Sequence, residues 1–237
     1  MKTLIAFVRS LLFTILFYGG STLFVIVGAA IGYISLPAMR AIAGSWGRFH
    51  YRCTRWLLGI RVRVEGRFAD EPVLYAFKHE SVFETIELLR IFQQPVVVAK
   101  RELASIPLWG SIAGRYGLIF VDRSGGAGAL RGMMKAVKGF INAGRPIIIF
   151  PEGTSVPPGQ TPPLQSGFAG LYKLFGLPVV PVALDSGKLF PRHGFLKHSG
   201  TITYRIGDPI PAGLDREEIQ RRVHEAINVL NGIERRD

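Results

Sequence analysis

The chain has 237 residues, 48% of them hydrophobic and 19% charged, enough for one domain with an appendage. A net charge of +12 calls for an anionic partner. No zinc-finger spacing, basic-aromatic RNA-binding signature or basic tail is present, which excludes nucleic acid and leaves membrane phospholipids; Cys53, the only cysteine, excludes an internal disulfide and a multi-cysteine metal site.

No residue from Ser10 to Met39 is charged. As one straight helix the run would measure roughly 45 Å, against about 30 Å of bilayer hydrocarbon. Two readings stand: a steeply tilted single span, or a two-helix hairpin dipping into one leaflet. Gly19-Gly20-Ser21 is expected to break the run. Lys2 and Arg9 precede it, while Arg40, Arg48, Arg52, Arg55, Arg61 and Arg63 follow. The heavier basic side is C-terminal, which places the main domain on the cytoplasmic face of the inner membrane. A cleaved signal peptide competes, with Ala41-Ile-Ala43 as its cleavage site. Against it, the apolar run is about twice the length of a signal's apolar core and Arg40 adjoins that site. Residues 43–58 mix Trp46, Phe49, Tyr51 and Trp56 with arginines and read as an interfacial amphipathic helix. Packing against the next domain accounts for the same apolar residues. The chain thus divides into membrane and interfacial helices over 1–58 and a globular domain over 59–237.

In that domain, strands are expected over 60–64 (an edge strand, by its alternation), 73–77, 96–99, 117–122, 146–150, 179–184 and 201–206. Helices are expected over 82–92, 102–116 with a break at Pro107, 130–142 and 165–175. A last helix opens at Asp215-Arg-Glu-Glu218, a capping box. Strands alternating with helices predict an α/β fold: a mostly parallel or mixed central sheet covered by helices, with the membrane-embedded helical segment ahead of it. The proline-rich loop 157–163 is the longest irregular piece, of the kind that covers sites.

His79 falls in the strand-to-helix turn after 73–77, where α/β proteins place their chemistry. Glu84 lies inside the first helical turn, about 140° from His79 on a straight helix. The two meet only if His79 stays in the turn and leans over the helix start. A histidine held by a carboxylate is a general base, and an acceptor that brings its own hydroxyl needs no enzyme nucleophile. The competing structural reading is a capping box, Ser81 at the N-cap and Glu84 at N3. Other polar clusters follow other strands: Lys100 and Arg101, then Arg123, then Glu152, Gly153 and Thr154. Parallel strands would bring them into one crevice with His79, where Arg123 grips a phosphate and Gly153 lets backbone amides approach a ligand. Their structural alternatives are an Arg123 pair with Asp122 or Glu152, and a turn cap at Glu152. The glycines at 125, 126, 128 and 132 raise dinucleotide binding as a rival, but they follow the strand too late and at the wrong spacing. His79-Glu80 lacks the second histidine of a zinc hydrolase.

Taken together, His79 with Glu84, the Gly117, Phe120 and Arg123 block, Phe150-Pro-Glu-Gly-Thr154 and Val180-Pro-Val182 resemble the membrane-bound glycerolipid acyltransferases typified by 1-acyl-glycerol-3-phosphate acyltransferase. The resemblance covers about residues 45 to 210. It implies transfer of a fatty acyl group from acyl-CoA or acyl-carrier protein to a lysophospholipid hydroxyl. His79 is then the base, Glu84 its orienting partner, and Lys100, Arg123, Glu152, Gly153 and Thr154 bind substrate. No metal or bound cofactor is implied, since the acyl carrier is a co-substrate. Amides at the start of the Ser81 helix or at Gly153 would meet the oxyanion. The chain departs from the family pattern at three places. Glu84 replaces the usual Asp, Ser155 stands where Arg follows Gly-Thr, and Gln165 stands where a cation is often found. The last two make a phosphate-free acceptor, such as a lyso-ornithine lipid, the alternative substrate. A non-catalytic lipid-binding protein is the alternative of another class.

Overall fold

A computed structural model describes residues 2–106, 109–121 and 127–231. Among them, seven strands form one sheet: β1 (Ile60–Glu65), β2 (Leu74–Phe77), β3 (Val96–Lys100), β4 (Ile119–Val121), β5 (Ile147–Ile149), β6 (Val179–Leu184) and β7 (Gly200–Ile206). Their spatial order is β1-β7-β6-β2-β5-β3-β4, and every neighbouring pair is parallel except β6 with β7. The expected mixed sheet is present, with β1 at an edge. Its helices are α1 (Lys2–Phe13), α2 (Gly19–Gly32), α3 (Leu36–Cys53), α4 (Val82–Ile91), α5 (Trp109–Tyr116), α6 (Ala127–Asn142), α7 (Gly167–Phe175) and α8 (Arg216–Ile227).

The apolar run of β2 is buried on both sides because side chains alternate across a strand and both sheet faces are covered. Leu74 and Ala76 join a core with Val96, Ile147, Phe168 and Ile219, under α6, α7 and α8. Tyr75 and Phe77 join another with Phe83, Ile148, Val182 and Tyr204, beneath α4 and the N-terminal helices. The helix expected over 102–116 is divided into a 3-10 segment, Arg101–Ser105, and α5. Pro107, which lacks the amide a continuous helix would use, lies between them and outside the described residues.

The expected break at Gly19-Gly20 does not occur. Helix α1, a π-helical stretch over Thr14–Tyr18 and α2 run on as one helix, and Thr3–Gly32 is long and apolar enough to cross a membrane. Leu4, Leu12, Ile15, Leu23 and Ile26 are exposed along it. The chain turns at Tyr33–Ser35, and α3 packs beside α2. The glycine serves this packing. A Cβ on Gly20 would stand 2.6 Å from the Phe49 ring, and Trp46 donates to the Ser21 hydroxyl at 2.9 Å. On the other side of α3, a Cβ on Gly47 would come within 3.0 Å of the Arg90 amide, so α3 also lies against the backbone of α4.

Residues 43–58 accordingly form no helix of their own. They continue α3, which starts at Leu36 under a Ser35 cap, and its aromatic face turns inward. Trp46 and Phe49 pack on the core and Leu58 is buried, while Trp56 remains 79% exposed. A buried pair, His50 Nδ1 to Glu87 Oε1 at 3.3 Å, ties α3 to α4, and Arg90 donates to the other Glu87 oxygen at 2.8 Å.

Candidate active site

Lys78, His79 and Glu80 make the turn between β2 and α4. Ser81 is the N-cap in extended conformation, and its hydroxyl accepts from the Phe83 amide at 2.9 Å. Glu84 Oε1 in return accepts from the Ser81 and Glu80 amides, each at 2.7 Å. That same oxygen lies 2.8 Å from His79 Nδ1, while Oε2 accepts from the Ser186 hydroxyl at 2.7 Å. The capping box and the His-Glu pair are therefore one carboxylate. His79 reaches it because it stays in the turn instead of joining the helix. An ionised carboxylate only accepts, so Nδ1 carries the proton and the lone pair sits on Nε2. The His79 side chain is 20% exposed, while Glu84 is fully buried. The imidazole packs on Phe150, ring centroids 4.3 Å apart.

Glu152 is placed close by, but not as a ligand-facing group. Its side chain is fully buried, Oε1 is 2.6 Å from Lys78 Nζ, and Oε2 accepts from the His79 backbone amide at 2.9 Å. The Lys78 ammonium uses its other donors on the Gln160 carbonyl at 2.9 Å and Asn228 Oδ1 at 2.8 Å. Here an ion pair anchors the loop that carries His79, and it also explains how two charges persist in the core. Asp122, the other partner weighed for Arg123, lies outside the described residues.

Gly153 has φ of +71°, which suits glycine, and its amide donates to the Phe150 carbonyl at 2.9 Å. The amides of Glu80, Ser81, Phe83 and Gly153 are thus all engaged. Those four are committed elsewhere, whereas Val82, the first residue of α4, lines a cavity together with His79. Lys100 is exposed at the end of β3 and Thr154 is exposed after β5. Arg123 lies outside the described residues. Burial pushes the Glu80 carboxyl up to about 7, although the Gly187 amide donates to it at 2.8 Å.

His79, Lys100, Gly153 and Thr154 line one cavity of about 1400 Å³. Its walls are mainly apolar. Phe24, Ile42 and Trp46 of the N-terminal helices contribute to them, as do Val98, Ile112 and Phe168 of the sheet domain. Ordinary small-molecule pockets measure about 300–1,000 Å³, so this one is sized for long apolar ligands.

Sequence reasoning missed four contributors to the site. Lys78 ends an apolar run and gives no sign of burial, while Ser186, Asn228 and Arg192 reach it from 102 or more residues away or from a late loop. Pairing distant positions needs the sheet order.

A family described as Acyltransferase matches residues 59–185. The chain is 32% identical to the 1-acyl-sn-glycerol-3-phosphate acyltransferase of Pseudomonas aeruginosa, over 84% of this chain and 80% of that protein. It is 27% identical to the lyso-ornithine lipid O-acyltransferase of the same organism, over 75% and 78%. Its fold is that of the 1-acyl-sn-glycerophosphate acyltransferase PlsC of Thermotoga maritima, with a TM-score of 0.72, 23% identity, and 96% and 95% of the two chains covered.

Proposed function

The chain belongs to the acyltransferase family, and on that premise we propose that it moves a fatty acyl group from acyl-CoA or acyl-carrier protein to the free hydroxyl of 1-acyl-glycerol-3-phosphate, giving phosphatidic acid. One observation carries this reading: His79, held by Glu84 at 2.8 Å, lines an apolar cavity walled partly by the one helix, Thr3–Gly32, that is long and apolar enough to cross a membrane. A base sits where a lipid hydroxyl can be brought to it.

In this mechanism His79 Nε2 takes the hydroxyl proton as the acceptor oxygen attacks the thioester carbonyl. The buried Glu84 stabilises the imidazolium. Collapse of the tetrahedral intermediate breaks the carbon–sulfur bond, and the proton leaves with the thiol. The amides of Thr154 and Ser155 carry no hydrogen bond among the described residues and line the cavity, so they are the donors we assign to the oxyanion. Apolar walls hold the acyl chains, and Lys100, Arg123 and Thr154 meet polar parts of the substrates. Glu152 acts through the His79 backbone. The reading calls on no resident metal or cofactor. The exposed apolar helix docks the enzyme on the inner membrane with its domain on the cytoplasmic face. The lyso-ornithine relative keeps a phosphate-free acceptor as the second reading.

Purified protein given labelled acyl-CoA or acyl-carrier protein and a panel of lysolipids tests this. Lysophosphatidate should be acylated, and His79→Ala should lose roughly 10²- to 10⁴-fold in rate, the contribution of a positioned base, with fold and vesicle binding kept. Undiminished turnover by His79→Ala would overturn the mechanism. No turnover by the native chain on any lysolipid would leave only a lipid-binding protein.

A further inference from the structure

The two cations that the family pattern leads one to expect, at Ser155 and Gln165, are missing, yet one is restored in space. Arg192 lies on the loop after β6, beyond the 3-10 turn Ser186–Lys188. It is exposed and lines the same cavity as His79. Its Nη1 donates to the Ser155 carbonyl at 3.1 Å and to the Thr154 hydroxyl at 3.3 Å. The next residue along, Val156, donates its amide to the His79 carbonyl at 2.7 Å. Arg192 is thus pinned to the segment that runs from Thr154 to the backbone of the base. Among the described residues no carboxylate pairs with it, and its Nε and Nη2 make no hydrogen bond. Two parallel N–H donors are left, the geometry that suits a phosphate. The other cations of the described lining, Lys100 and Arg101, lie at the end of β3, across β5 from the β2 turn that carries His79.

We propose that Arg192 binds the phosphate of the acceptor lysolipid, in place of a cation on residue 155. It thereby sets the preference for a phosphorylated acceptor over a phosphate-free one. This rests on the acyltransferase reading above and assigns that site its headgroup contact. Phosphate also occurs in acyl-CoA and on acyl-carrier protein, so acceptor and donor must be varied separately.

The test is steady-state kinetics in detergent micelles with native protein, Arg192→Ala, Arg192→Lys and Arg192→Ala/Ser155→Arg. Lysophosphatidate and 1-monoacylglycerol serve as acceptors, with melting temperature as the folding control. Arg192→Ala should raise KM for lysophosphatidate roughly tenfold or more, the scale of a lost charge-assisted hydrogen bond. The kcat/KM preference for lysophosphatidate over monoacylglycerol should fall by a similar factor. Arg192→Lys, which keeps the charge, should lose less, and the double variant should recover part of the preference. The proposal is overturned if the preference is unchanged, if the KM of the acyl donor rises instead, or if the double variant is no better than Arg192→Ala. Failure of the native protein to acylate lysophosphatidate would instead sink the underlying reading, and is seen before any variant is made.

Discussion

The ammonium of Lys78 and the carboxylate of Glu152 lie 2.6 Å apart with neither side chain exposed, and the second oxygen of that carboxylate holds the backbone amide of His79. A charge pair buried to this degree is weak support for net stability, but removing one partner strands the other. Lys78→Met should therefore lower stability by about 3–5 kcal/mol, read as a fall of roughly 10 °C in melting temperature. Lys78→Met/Glu152→Gln should recover most of that loss, since Gln still accepts from the His79 amide. A double variant as unstable as the single one would show that the pair is not what holds the turn.

Glu84 has two duties that one substitution separates. Glu84→Gln keeps an acceptor oxygen for the Ser81 amide and so keeps the cap, which is worth about 1 kcal/mol. It removes the negative charge beside His79 Nδ1. Melting temperature should change by a few degrees at most, while kcat falls 100-fold or more, toward the loss expected when a base is left unassisted. Glu84→Ala should do worse on both counts, because the Glu80 and Ser81 amides and the Ser186 hydroxyl lose their acceptor inside the core. Full activity in Glu84→Gln would make Glu84 a helix cap only.

Strand order was legible only in outline from the sequence, but the elements themselves were plain. The apolar runs at 73–77 and 179–184 lie within a residue of β2 and β6, because strands buried on both faces have no polar alternation to confuse. The motif spacing likewise located His79 and Glu84. What stayed hidden was long-range. Glu152 resembles a ligand-binding acid in a loop, and only the parallel pairing of β2 with β5 brings it against Lys78. Gly19-Gly20 resembles a helix breaker, because a sequence lists what glycine permits and not the Phe49 ring that fills the space. Arg192, one of several arginines in a basic chain, had no local mark at all.

Gly47 sets how closely α3 approaches α4, and so how the N-terminal helices wall the cavity. An added Cβ would meet Leu89 Cβ at 2.9 Å and the Arg90 backbone nitrogen at 3.0 Å, neither of which yields as a side-chain tip would. Gly47→Val should cost about 1–3 kcal/mol through overpacking. Because Ala43 and Trp46 of α3 line the cavity, activity toward long-chain donors should fall with it. A variant of native melting temperature and activity would show that α3 shifts freely and is no fixed wall.

Glu80 gives the fold a pH dependence of defined sign. Burial pushes its carboxyl up to about 7, against 4.5 for the exposed group. Between those values the folded chain holds a proton that the unfolded chain has released. Stability from this residue is therefore fully present below pH 4.5 and lost as pH rises through about 7. The scale is on the order of 3 kcal/mol. Glu80→Gln fixes the neutral, hydrogen-bonding form and can still accept from the Gly187 amide. Denaturant titrations from pH 5 to 8 should show stability of the native chain declining toward pH 8, with a shallower decline in Glu80→Gln and a gain over native above pH 7. Parallel curves for the two proteins would mean that Glu80 titrates as an ordinary carboxyl, and that its neighbours, the ionised Glu84 first among them, do not feel its charge.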